Sequence, residues 1–173
     1  MLELGVIAQL RLQTATQAGG GDGEHLVSQV APAPLRQLTL GGDVRPVRLQ
    51  ALDQALSYAK QRTAFGQRIS KFQAIQTKLA DMATEIEAAR LLVYKAAREK
   101  DAGRNFTLTA AQAKLKTGRL AVRCAEEAVQ IHGGYGFIEE YPVCRFYRDA
   151  KILTIGEGTD EVQQLVIARA LGA

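Results

Sequence analysis

Phe72, Ile75, Leu79, Met82, Ile86, Ala89, Val93 and Ala96 follow one another by alternating steps of three and four. Held over this many turns, that repeat puts every one of these side chains on one face of a single helix. A strand would divide them between its two faces. The chain therefore needs a long amphipathic helix, and the helix needs partners to cover its stripe. The same spacing supplies them. Leu108, Ala111, Leu115, Gly118, Val122, Ala125 and Val129 repeat it downstream, and Leu49, Leu52, Leu56 and Ala59 upstream. Small residues at Ala111, Gly118 and Ala125 would let a neighbouring helix approach closely. Stripes of this period pack antiparallel at shallow crossing angles.

Helix starts and stops can be read between the stripes. Pro46 suits a first helical turn, where its missing N–H is no loss. The helix it opens should end near Arg62, before the loop at Gly66. Ser70 followed by Gln73 has the spacing of a capping box for the second helix, and Gly103 is a stop for it. Gly133, Gly134 and Gly136 close the third. Pro142 restarts the chain for a short helix through about Ile152, and Thr159 is an N-cap for a last helix that should bury Val162, Leu165 and Val166. No alternation is long enough to claim a strand. The fold class is all-α, an up-and-down four-helix bundle over residues 46–173. Residues 1–45 read as a poorly ordered arm, broken by Gly19-Gly20-Gly21-Asp22-Gly23, Pro32, Pro34 and Gly41-Gly42.

Composition narrows the function classes. The chain has 173 residues, 47% hydrophobic and 23% charged, an ordinary balance for a domain with a core. No apolar run reaches membrane-spanning length. Glu3 in the first turn and the lack of a basic n-region argue against a signal peptide, so a cytoplasmic protein is expected. A net charge of +4 favours anionic ligands. Lys116, Arg119 and Arg123 share a helix face without interleaved aromatics, which reads as a solvated face and not a nucleic-acid patch. Cys124 and Cys144 have no C-x-x-C spacing and read as free thiols in a reducing compartment. No metal site is expected.

The chemistry concentrates between Gln130 and Glu161. Gln130-Ile131-His132-Gly133-Gly134-Tyr135-Gly136 comes first, then Arg148-Asp149-Ala150-Lys151-Ile152, then Glu157-Gly158-Thr159-Asp160-Glu161. Glu157 stands between two glycines just before a helix N-terminus, where a carboxylate is placed to meet a ligand. Together with Arg62-Thr63-Ala64-Phe65-Gly66 upstream, these motifs are in the order found in the acyl-CoA dehydrogenases. From Leu49 to Ala173 the sequence resembles the C-terminal helical domain of that flavoenzyme family.

The resemblance implies an FAD-dependent enzyme that introduces a double bond next to a thioester. Glu157 matches the family's catalytic base, and Gly158 after it would contact the substrate. A proton next to a thioester carbonyl becomes removable when donors hold the developing oxyanion. In the family these are a flavin ribityl hydroxyl and the backbone N–H of this Glu. A closed apolar pocket would raise the carboxyl pKa and improve the base. Arg62 would pair with the flavin pyrophosphate, for which a guanidinium fork is suited; it equally suits a helix C-terminus.

Gln73 would lie near the adenine, or serve only the capping box. Gln130, Ile131, His132, Gly133 and Gly134 would run along the cofactor, though His132 also continues the third helix's stripe and reads as a packed core residue. Thr159 and Glu161 would contact the cofactor. Asp160 stands where the family carries a small hydroxyl residue, and it must point away from any phosphate. Arg148 and Asp149 read as a structural ion pair.

The family builds a dimer of dimers through this domain, with each flavin touched by two subunits, so a homotetramer or dimer is expected. Acyl-CoA is the implied substrate and electron-transfer flavoprotein the implied electron acceptor. A mitochondrial matrix location is the alternative to the cytoplasm. Family members carry an N-terminal helical domain and a central β domain before this one, and residues 1–45 have no room for them. Arg45-Pro46-Val47 resembles the start of the family's domain, yet its distance to Arg62 is about two turns short. Two readings stay open: the C-terminal part of an acyl-CoA dehydrogenase, incomplete alone, or a non-catalytic helical oligomerisation module derived from the family.

Overall fold

A computed structural model of the protein describes residues 46–173. The expected arm over 1–45 lies outside the described residues. Helix α1 spans Val47–Gln61, α2 Gln73–Asp101, α3 Thr107–His132, α4 Pro142–Ala150 and α5 Asp160–Ala170. Three 3-10 turns, Ile69–Lys71, Gly133–Gly136 and Lys151–Thr154, join them. The all-α bundle expected from the stripes is the fold, with one addition. Thr63–Ala64 (β1) pairs antiparallel with Gln67–Arg68 (β2) in a minimal hairpin, too short to leave a pattern in the sequence.

The stripe of α2 is buried as expected at Met82, Ile86, Ala89, Val93 and Ala96. Its ion pairs show the direction of packing: Lys78 pairs with Glu127 and Glu85 with Lys116, so α2 and α3 run antiparallel. Hydrogen bonding from Lys116 holds the Glu85 carboxyl below its ordinary pKa. Helix α3 departs from a one-face reading. Besides Ala111, Gly118 and Ala125, it buries Ala113, Lys114, Thr117, Leu120, Ala121, Cys124, Ala128 and Ile131. A helix buried nearly all round is the centre of its domain, and α1, α2, α4 and α5 all pack on α3. In α1 the deepest residues are Ala51, Ala55 and Ala59, in one core cluster with Ala121, Ala125 and Ala128; the leucines Leu49 and Leu52 flank them. Small side chains on both helices allow close contact over several turns.

Two helix-start readings divide. Thr159 caps α5, its hydroxyl accepting from the Val162 N–H at 3.4 Å. The Ser70–Gln73 capping box does not form. Ser70 lies inside a 3-10 turn, Phe72 is the N-cap of α2, and no side chain caps that end. The box requires Ser at the cap and Gln two positions further in than Gln73 actually stands. Gly103 closes α2 as expected, with φ 65° and its N–H on the Lys100 carbonyl.

The expected burial of α5 is overturned at Val162 and Leu165, while Val166 is half-buried. Val162 and Leu165 are 46% and 57% exposed, and Gln163 is the residue turned inward. Packing α5 on α3 through Gln163 leaves its apolar side uncovered.

Gly118 is fixed by the packing of α3. A Cβ there would stand 2.6 Å from the Leu153 carbonyl oxygen. Helix propensity alone predicts that Gly118→Ala stabilises by about 1 kcal/mol. The backbone contact reverses the sign, and we expect a loss of ~1–3 kcal/mol from overpacking. Denaturant titration measures it, and a variant as stable as the parent would refute the contact.

Candidate functional site

The sequence motifs come together at the two ends of α3. At its C-terminal end a cleft of about 450 Å³ is lined by Tyr58, Arg62, Ile69, Ile131, His132, Gly133, Gly134, Tyr135 and Ile138. Arg62 follows α1 and caps it, donating its N–H to the Tyr58 carbonyl at 2.8 Å. Its guanidinium lies 5.3 Å from the centre of the Tyr135 ring, a cation–π distance. Behind it the His132 ring stacks on Tyr58 with centroids 4.1 Å apart. Tyr141 closes edge-on against both rings, at 5.9 and 5.6 Å.

His132 is buried, and its Nδ1 lies 2.7 Å from the Ala128 carbonyl oxygen. A carbonyl only accepts, so Nδ1 carries the proton. Desolvation raises the Tyr58 hydroxyl pKa, with the Arg62 charge acting the other way.

The glycines at this end have separable reasons. Gly133 takes φ 61° at the helix stop. Gly136 lies against the backbone of Val129, where a Cβ would be 2.4 Å from the carbonyl oxygen. Gly134 has neither constraint: open space surrounds its missing Cβ. The fold does not require glycine there, and a smooth cleft wall does. Arg62, Ile131, His132, Gly133 and Gly134 are thus brought together. Gln130 is exposed on α3 and Gln73 is exposed at the start of α2; neither lines the cleft.

Beside the cleft the expected loop at Gly66 takes a form that the sequence reading did not anticipate. Phe65 and Gly66 form the hairpin tip with φ 50° and 79°, and Phe65 is 96% exposed. An aromatic in the left-handed region, held out to solvent, is a strained and unusual arrangement. The one sequence signal was Gly66 itself, a residue that tolerates left-handed backbone.

The second cluster is near the N-terminal end of α3. Glu157 adopts φ 54° and Gly158 φ 93°, so the chain turns sharply and carries the Glu157 side chain into solvent. The closed apolar pocket expected around this carboxyl is not made by the described residues of this chain. Exposed apolar side chains flank the turn instead, Ile152 and Ile155 before it and Val162 and Leu165 after it.

Asp160 faces α3, where its Oδ2 accepts from Arg119 Nε at 2.9 Å and its Oδ1 is 4.0 Å from Lys114 Nζ. On the basic face of α3, Lys116 pairs with Glu85 and Arg119 with Asp160, while Arg123 is exposed. A hydrogen bond from Thr159 holds the Glu161 carboxyl below its ordinary pKa. Arg148 Nε donates to Asp149 Oδ1 at 3.4 Å, as an ion pair on α4.

From Lys114 to His132 the helical rise of about 1.5 Å per residue separates the two clusters by roughly 27 Å. Within one chain they are distinct surfaces. Neither offers a metal site: among the described residues no group of His, Cys, Asp and Glu could hold an ion. Cys124 and Cys144 are free, and burial pushes the Cys124 thiol up to about 12.

A cleft with a guanidinium at its rim, an aromatic wall and a bare glycine backbone is suited to part of a phosphate-bearing cofactor; a solvent-facing carboxylate on a strained glycine-flanked turn is suited to proton transfer. The chain belongs to the acyl-CoA dehydrogenase family: the family's model, described as "Acyl-CoA dehydrogenase, C-terminal domain", matches residues 45–172.

Among curated proteins it is 60% identical over 121 residues to the probable acyl-CoA dehydrogenase YngJ of Bacillus subtilis, covering 70% of this chain and 32% of that protein. It is 53% identical over the same length to the caffeyl-CoA reductase–Etf complex subunit CarC of Acetobacterium woodii, again covering 70% and 32%. Among solved structures it matches butyryl-CoA dehydrogenase from Megasphaera elsdenii with a TM-score of 0.72 and 54% identity, over 73% of this chain and 33% of that one. The chain thus spans about a third of the length of these relatives.

His132 provides a test of the cleft's floor. Desolvation is the main influence and lowers its pKa below the ordinary histidine value, against the smaller pull of the Ala128 hydrogen bond. The unfolded chain then binds a proton where the folded chain does not. This contribution to stability is fully present above about pH 6.5 and is lost as pH falls from there through the depressed folded value. His132→Phe keeps the ring against Tyr58 and removes the titration. We expect the parent to lose more stability than the variant between about pH 7.5 and pH 5.5 in paired denaturation curves. Parallel losses would show that His132 is not held neutral.

Proposed function

We propose that this chain is the C-terminal domain of an FAD-dependent acyl-CoA dehydrogenase and supplies its catalytic base. The observation that carries the reading is the Glu157 turn, a carboxylate presented to solvent on left-handed backbone, at the position where the family has its base. Glu157 takes the proton next to the thioester carbonyl of an acyl-CoA, and its backbone N–H and Gly158 lie against the thioester. FAD supplies the acceptor for the hydride that leaves the neighbouring carbon. The exposed isoleucines beside the turn, with Val162 and Leu165, form an apolar rim. Covering that rim by other parts of the enzyme and by substrate supplies the desolvation that makes Glu157 a better base.

Arg62, Ile131, His132, Gly133 and Gly134 hold part of the cofactor. The Arg62 fork suits pyrophosphate oxygens, and the bare backbone at Gly134 admits close approach. Thr159 and Glu161 contact the cofactor from the other cluster. Gln73 and Gln130, exposed outside the cleft, contact it only from beyond the cleft wall. The cleft is too small and open to enclose a dinucleotide, so it fits one end of one. With the two clusters about 27 Å apart along α3, a cofactor touched by two copies of the domain accounts for both. We therefore read the protein as a homodimer or homotetramer. Electron-transfer flavoprotein is the acceptor in this reading, supported by the relative described as a subunit of an Etf complex. The free cysteines and the lack, among the described residues, of a helix able to cross a membrane fit a cytoplasmic setting.

The test exchanges the C-terminal third of the Megasphaera elsdenii enzyme for residues 46–173 of this chain and compares parent with Glu157→Gln. The amide keeps size and hydrogen bonding but accepts no proton at neutral pH. We expect both proteins to hold FAD and the variant to be reduced by butyryl-CoA about 10²–10⁴-fold more slowly, the range for a general base. Equal rates would remove Glu157 from the chemistry. Failure of either protein to hold FAD would favour the non-catalytic oligomerisation module.

Self-association is separately measurable. Sedimentation velocity of the chain should shift with concentration, and Leu165→Arg on the uncovered side of α5 should weaken the shift. A parent that sediments as a monomer at every concentration would eliminate association through this domain.

A further inference from the structure

We propose that Lys114 is a positioning residue for the Glu157 turn: its ammonium, reaching across from the middle of the bundle, latches the carbonyl that follows the carboxylate. The role of Glu157 itself rests on the function proposed above. Lys114 is only 6% exposed, unusual for a lysine on a helix. Its Nζ donates to the Gly158 carbonyl at 2.6 Å and stands 4.0 Å from Asp160 Oδ1. The ammonium is thus satisfied by groups directly beyond Glu157 in the chain. Gln163 Nε2 adds a weaker hydrogen bond to the same carbonyl at 3.4 Å.

A second contact makes the latch a clamp. Gly118 lies one helical turn after Lys114 on the same face of α3. The chain before the turn rests against it, close enough that a Cβ would meet the Leu153 carbonyl oxygen at 2.6 Å. The segment carrying Glu157 is therefore gripped on both sides by adjacent turns of α3, through Leu153 before it and Gly158 after it. Between these contacts Glu157 and Gly158 take φ 54° and 93°. Left-handed backbone at a non-glycine residue is unfavourable and persists where its surroundings impose it. The bond to the Gly158 carbonyl fixes the plane of the peptide that ends the left-handed pair. It thereby sets the direction in which Glu157 points.

Arg119 completes the arrangement. It pairs with Asp160 Oδ2 at 2.9 Å and holds the first turn of α5 to α3 from the exposed side. Asp160 thus faces two cations and supports the latch, and the family's small hydroxyl residue at that position would provide no such counter-charge.

The test has two readings. In the full 173-residue chain, hydrogen exchange followed by mass spectrometry compares Lys114→Met, which keeps length and removes the donors, with Lys114→Gln, which keeps a neutral N–H. We expect peptides spanning 156–162 to exchange about 10-fold faster in the Met variant with α2 unchanged, and the Gln variant to recover part of the protection. In the chimeric enzyme, the Met variant should hold FAD, keep its KM for butyryl-CoA within about 2-fold and lose about 10–100-fold in kcat, the scale for a displaced catalytic group. A variant that merely loosened the bundle would lose FAD or raise KM together with kcat.

Unchanged exchange over 156–162 overturns the latch. Faster exchange with an unchanged kcat, where Glu157→Gln is inactive, overturns the positioning role. If the Met variant also loses protection in α2, the Gln variant decides by the same two readings. A Glu157→Gln enzyme as fast as the parent refutes the base and leaves exchange alone to judge the latch.

Discussion

Burying one helix on nearly every side constrains everything else in this domain. Helix α3 meets all four other helices, and such a position ordinarily calls for an apolar surface throughout. Yet α3 carries Lys114, Thr117 and His132 into the interior. A buried polar group without a partner costs about as much as a lost hydrogen bond or more. Thr117 and His132 solve this within the helix, on the Ala113 and Ala128 carbonyls one turn back. The Lys114 hydrogen bond crosses to the Gly158 carbonyl instead. The two solutions differ in consequence. One is local and leaves the neighbours alone; the other ties a distant loop to the centre of the fold.

The same helix holds the two functional clusters apart. Its length places the Arg62–Gly134 cleft and the Glu157 turn at separate ends, too far for one compact site in one chain. Each end is unfinished in a different way. The cleft is open, with an exposed aromatic tip at Phe65 beside it, and the turn is rimmed by exposed apolar side chains. Such surfaces are completed by further protein or by ligand. A rigid helix between two incomplete half-sites fits the proposal that the site is completed by a second copy of the domain.

Much of this was legible in the sequence, and the misses have physical causes. The stripe of α2 located its core residues because that helix has one buried face. The stripe of α3 named Ala111, Gly118 and Ala125 and overlooked Ala113, Ala121 and Ala128, since periodicity detects a single face and α3 has several. The Ser70–Gln73 box failed because a 3-10 turn occupied the place of the cap, and such turns have no distinct spacing. The apolar side of α5 was assigned to the core by composition. Whether an apolar face is covered inside the chain or outside it cannot be read from hydropathy. At the site, motif order named Arg62, Ile131, His132, Gly133 and Gly134, which line the cleft, and Gln73 and Gln130, which do not; Lys114 lies 44 residues from the carbonyl it holds. Among the many basic residues of α3, nothing in the sequence distinguishes the one that turns inward.

Asp160 shows how the charge around the turn is resolved. An acidic residue beside a phosphate-bearing cofactor would repel it, and an acidic residue beside the proposed base, Glu157, would compete with it. Here the carboxylate occupies the first turn of α5, where the helix dipole favours negative charge. It is directed into α3 between Arg119 and Lys114. Its charge is spent on holding the helix start against α3. Three consecutive positions thus separate by backbone geometry. Gly158 offers its carbonyl inward to Lys114, Thr159 caps α5, and Asp160 answers the buried Lys114 and the exposed Arg119. Glu157, one residue earlier and on left-handed backbone, is exposed. In the arrangement proposed here, the strained φ at Glu157 and the inward latch at Gly158 are one device, in which anchoring one peptide aims the side chain before it.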